Sequence, residues 1–145
     1  MVSTEVLQIE YRADLLVLVG RWMRQPTEQE LHAGYEQLLA AALAQGCRLW
    51  LIDARRRSDS NKGHSAWMVQ HFFPRLAQLN SEVSLAYLFM PHHLREIEQD
   101  PQVPPLSFFG HLPYKVQRFT EEQAAMAWLA DCRRRLRPAP VPQPL

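Results

Sequence analysis

Residues 52–67, IDARRRSDSNKGHSAW, carry the densest set of chemically active side chains in this 145-residue chain. Asp53 closes an apolar run, Arg55, Arg56 and Arg57 follow, and Asp59, Ser60, Lys62, Gly63 and Ser65 lead into a helix-like pattern. Four cations against Asp59 leave a local charge of +3. A loop that leaves the C-terminal end of a parallel strand lies where ligands of open α/β sheets bind. Free amides of the following helix start, from Ser65 to Met68, would add to that positive field. A phosphate, a carboxylate or an acidic partner would be favoured there. A second reading stays open, in which the arginines form a solvated turn and Asp53 only accepts from loop amides. The absence of G-x-x-x-x-G-K-[ST] excludes a nucleotide P-loop.

Other reactive residues assemble into less. His92 and His93 lie near Glu96 and Asp100, with His111 across a proline-rich stretch. Neighbouring histidines point to different sides of a helix or strand, and no H-x-x-x-H or cysteine partner supports a metal. His64 precedes Ser65, but adjacent side chains diverge and G-x-S-x-G is absent. His71 reads as a polar edge of the second helix. With no triad, metal set or nucleotide loop, we expect no catalytic residue, no metal and no cofactor. The two cysteines, Cys47 and Cys132, have no C-x-x-C spacing and read as reduced thiols of a cytoplasmic protein. A formal net charge of +1 supplies no field for nucleic acid or an anionic membrane. Phe108 and Phe109 follow Pro104 and Pro105 in a loop; they either tuck over the sheet or form a homodimer contact.

The elements that position these groups follow from periodicity. Residues 5–11 and 15–22 read as strands joined by a short break at 12–14, which forces an antiparallel hairpin. Thr27 and Glu30 form a capping box for a helix carrying Leu31, Tyr35, Leu38, Leu39 and Ala42, ended by Gly46. Residues 48–54 are a third strand. Ser65 caps a second helix with Met68, Phe72, Leu76 and Leu79, which Pro74 must kink or divide. Residues 83–90 and 114–119 are further strands, separated by an irregular, proline-punctuated segment with one short helix at 92–99. Thr120 to Gln123 reads as a second capping box before a helix with Ala125, Trp128, Leu129 and Cys132 on one face. Residues 136–145 are a proline-rich extended tail beyond a single domain, residues 1–135. Strands alternating with helices demand right-handed crossovers. The expected fold is therefore α/β, a five-stranded, mostly parallel sheet with an antiparallel edge strand from the N-terminal hairpin.

This order, with the 15–19 run, "LWLID" ending in Asp53, "VSLAYLF" and the closing "RFTEEQAAMAWL", resembles the STAS domain over about residues 5–131. STAS is the fold of anti-sigma factor antagonists, and the closing pattern is most similar to their single-domain bacterial relatives of unknown function. The resemblance implies a sequentially ordered sheet with helices largely on one face. It also implies a noncatalytic regulatory role, binding a partner protein or small ligand near the loop before the second helix. In the antagonists that loop reads Asp-Ser-Ser-Gly, with the first serine phosphorylated. Asp59 and Ser60 match its first two positions, making Ser60 the implied phosphorylation site. Asn61, Lys62 and the preceding Arg56, Arg57 and Ser58 depart from it. Three readings of function follow: a partner-binding regulatory module of unknown partner, a domain for a small anion or apolar acid, or an enzyme without a recognisable motif.

Overall fold

Side chains alternate across each strand, and here both sides are apolar. Leu18 and Trp22 of β3 (Val17–Trp22), Trp50 and Ile52 of β4 (Leu49–Asp53) and Leu85 and Tyr87 of β5 (Val83–Leu88) line one face. Val17, Val19, Leu49, Leu51, Ala86 and Leu88 line the other. Both faces must therefore be covered, as the unbroken apolar runs of these strands require. The computed structural model describes residues 2–58 and 64–135. Its sheet runs in sequence order, β1 (Val2–Ser3), β2 (Leu7–Arg12), β3, β4, β5 and β6 (Tyr114–Phe119). The first three strands pair antiparallel and the last four parallel. The expected class holds.

One expectation about the edge is corrected. The strand read at residues 5–11 is not outermost, because the chain before it folds back as β1. Thr4 makes that turn, its amide donating to the Leu7 carbonyl at 2.8 Å and its hydroxyl accepting from the Leu7 amide at 2.9 Å. Two residues are too few for periodicity to reveal. The hairpin turn is also longer than expected. Leu15 and Leu16 belong to it rather than to β3, with Leu16 left-handed at φ 58° and both side chains exposed.

The capping box that opens α1 (Glu28–Gln45) forms as expected, and Gly46 closes the helix at φ 60°. The second helix does not form as one piece. It is a single turn, α2 (His64–Trp67), then a π-turn over Met68–Phe72 and a 3₁₀ segment over Phe73–Leu79. Pro74 is the cause: without an amide it cannot continue the α-ladder, and the Phe73 amide reaches back to Met68 instead. Ser65 accordingly lies inside α2 rather than capping it.

The segment after β5 holds α3 (Pro91–Gln99) and a 3₁₀ turn over Leu106–His111. Together with α1 and residues 64–79 they cover the Trp22–Trp50–Tyr87 face. α4 (Glu122–Arg135) alone covers the other, through Ala125, Leu129 and Cys132. It starts later than a Thr120 cap would set, the Glu121 carbonyl accepting its first bond from Ala125. Its first residue, Glu122, accepts from Arg21. Among the described residues no helix is long and apolar enough to cross a membrane.

Candidate functional site

The arginine run divides across the end of the sheet. Asp53 is the last residue of β4, on the α4 side, and is 8% exposed. Its carboxylate accepts from the Arg55 amide at 3.1 Å and from Arg55 Nε and Nη2 at 3.0 and 2.9 Å. Arg21, its register neighbour on β3, donates to it at 2.9 Å and to Glu122 at 2.7 and 3.1 Å. Burial opposes ionisation of Asp53, but the donated hydrogen bonds outweigh it and hold its pKa below the ordinary value. Arg55 is thus committed to structure. Arg56 is exposed and reaches Met23 Sδ at 3.7 Å. Arg57 turns to the opposite face, its guanidinium 5.6 Å from the centroid of the Trp22 ring. Of the loop assigned to ligand or partner binding, Asp59, Ser60, Lys62 and Gly63 lie outside the described residues. The free-amide expectation at Ser65 weakens, since a single α-turn has little dipole.

Arg57 leads into a cavity of about 400 Å³ beyond the C-terminal ends of β4, β5 and β6. Its walls are mainly apolar, with Met68, Phe73, Phe89, Phe109 and Val116 prominent. Two guanidiniums join them. Arg57 comes from the loop, and Arg118 from β6, where it stands opposite Tyr87 in register. Arg57 Nε is buried without a hydrogen-bond partner among the described residues. Arg118 donates to the Pro104 carbonyl at 3.2 Å, and burial lowers its pKa against the opposing influence of Glu98. Among the described residues neither arginine forms an ion pair, although exposed Glu96 and Asp100 flank the mouth. The size and the ratio of apolar wall to polar groups suit a small organic molecule.

Beneath the cavity, Tyr35 of α1 and Tyr87 of β5 share a hydroxyl–hydroxyl hydrogen bond of 3.0 Å. Burial raises both phenol pKa values, so both are neutral. His64 packs beside Tyr35 and Trp67, with ring centroids 5.5 and 6.0 Å away. Burial, the charge of Arg57 and that of His32 bring its pKa down to about 3. A base so weak is poorly matched to proton abstraction near neutral pH.

The paired phenylalanines, read either as tucked over the sheet or as a homodimer contact, are placed differently. Phe109 is buried against Phe73 and Tyr114, at 5.8 and 6.0 Å between centroids, and walls the cavity. The 3₁₀ turn aims the two rings apart, leaving Phe108 45% exposed, so of the pair expected at a dimer contact only Phe108 reaches the surface. Sequence reasoning missed Arg118, Tyr35, Tyr87 and the cavity itself. A signal existed for Arg118: period two puts it on the same face as Tyr114 and Val116, an odd place for a charge. Among the described residues no group of three or more His, Cys, Asp or Glu is placed to hold a metal. No family model, curated protein or solved structure matches the chain.

Proposed function

We propose that this chain is a noncatalytic binding module of STAS type whose cavity holds a small organic acid, an apolar body with one anionic head. One observation carries the reading: two half-buried guanidiniums, Arg57 and Arg118, face a mainly apolar cavity without forming an ion pair among the described residues. A desolvated cation favours an anionic partner more strongly than an exposed one does. The rings around the space favour a flat or chain-like hydrocarbon body. Residues 55–64 supply Arg57 and Ser58 to the wall, so the same loop would present the state of the cavity to a partner protein. In this reading phosphorylation of Ser60 would add about −1.5 to −2 charges three residues along the sequence from Arg57, competing for its guanidinium.

The test uses 2-naphthoate and its neutral analogue 2-methylnaphthalene in thermal unfolding of the whole chain. A ligand that binds only the folded state raises its stability by mass action, about 2.7 kcal/mol at a hundredfold excess over Kd. The acid is expected to raise the midpoint with increasing concentration, and the hydrocarbon to do so less. Equal or absent shifts would refute an acid-binding cavity.

A further inference from the structure

The polar groups under the cavity form a chain that reaches the open space. Tyr35 meets Tyr87 at 3.0 Å, and Tyr87 lies beside Arg118 in register. A guanidinium has donors and no acceptor, whereas a phenol donates one proton and accepts through its oxygen. Either phenol can donate in the Tyr35–Tyr87 bond, and of the two it is Tyr87 that lines the cavity. When Tyr35 donates, Tyr87 accepts that bond and is left with its own O–H to place. Neither arginine can accept it, whereas an anion in the cavity can. An anion there selects this arrangement, in which the donor chain ends in the open space next to the Arg118 cation.

We infer that the anion seat of this cavity is the Tyr87 hydroxyl together with the Arg118 guanidinium, and that it takes a carboxylate whose apolar body lies against Phe73, Phe89, Phe109 and Val116. The inference rests on the acid-binding reading above and narrows it to one end of the cavity. Arg57, the cation most conspicuous in the sequence, stands over the Trp22 ring and is not part of this seat. Arg118 keeps donors in hand, because the Pro104 carbonyl takes only one of its five N–H groups. Its place on a strand makes it more rigidly held than a loop arginine. A carboxylate bridging Tyr87 and Arg118 would accept from both at once.

Calorimetric titration of the full chain with 2-naphthoate separates the outcomes. Tyr87→Phe, which keeps the ring and cavity volume, and Arg118→Gln are each expected to weaken binding about tenfold or more. Arg57→Gln should cost less than either. Binding of 2-methylnaphthalene, compared across the same variants, should stay constant and reports an intact cavity. If Tyr87→Phe and Arg118→Gln bind the acid like the wild type while Arg57→Gln loses it, the seat is at Arg57 and this inference fails, with the acid-binding reading intact. If the wild type does not bind 2-naphthoate, both are overturned.

Discussion

Arg21 and Asp53 face each other in register on β3 and β4, and the guanidinium of the first donates to the carboxylate of the second at 2.9 Å. Through Glu122 the same guanidinium fastens the first turn of α4 to the sheet. This pair, with Arg55, fixes the exit of β4 and so sets where the loop begins.

Asp53→Asn should therefore destabilise the fold by about 1–3 kcal/mol in urea unfolding, less than for a fully buried pair because both arginines are partly solvated. The acid dependence has a definite sign. The folded carboxyl binds its proton less readily than the unfolded one, whose ordinary value is 3.8. Its stabilisation is complete above that value and drains away as pH falls through the lower folded value. In the Asp53→Asn protein this part of the acid slope should be missing.

The three loop arginines should separate in single alanine substitutions. Arg56→Ala is expected to stay within about 0.5 kcal/mol of the wild type, as for other surface changes. Arg55→Ala should cost about 1–2 kcal/mol, through the loss of its hydrogen bonds to a buried carboxylate. Equal effects at the two positions in chemical denaturation would contradict the division of the run across the sheet.

His64 should make stability fall in a second, higher pH window. The unfolded chain protonates this imidazole as pH drops below 6.5, while the folded chain resists until about 3. Stability is full above the higher value and declines towards the lower one. Urea midpoints measured across this range should decline, and His64→Gln should flatten the decline. NMR resonances of the His64 ring should stay fixed through pH 6.5.

Gly34 sits within α1, where alanine normally gains about 1 kcal/mol. Here a Cβ would stand 2.4 Å from the Trp22 ring and 3.1 Å from Leu7. Gly34→Ala is therefore expected to destabilise by about 1–3 kcal/mol, the usual cost of overpacking, as read by thermal or urea unfolding.

Local rules made most of the frame legible. The Thr27–Glu30 capping box, Gly46 and the central parts of the apolar strands β3, β4 and β5 occur as read, because each depends on neighbours within a few residues. Elements that depend on distant partners were not legible. β1 exists through pairing with β2, and Glu122 pairs with an arginine 101 residues away. The site divides in the same manner. Its loop stood out as a charge run, but nothing in RRR says that Arg55 is held by Asp53 while Arg57 crosses to the other face. Arg118 and the Tyr35–Tyr87 pair converge only once β5, β6 and α1 are packed.

The central claim is that the cavity beyond β4, β5 and β6 receives a small organic acid. The most direct measurement is a titration of isotopically labelled protein with 2-naphthoate, followed through its backbone amide resonances. Amides of Val69, Phe73, Phe89, Val116 and Arg118, all from cavity-lining residues, should shift together and saturate on one binding curve. Those of Val19, Leu51, Ala125 and Leu129, under α4 on the opposite face, should hold still. Shifts confined to the α4 face, or none at saturating acid, would contradict the account.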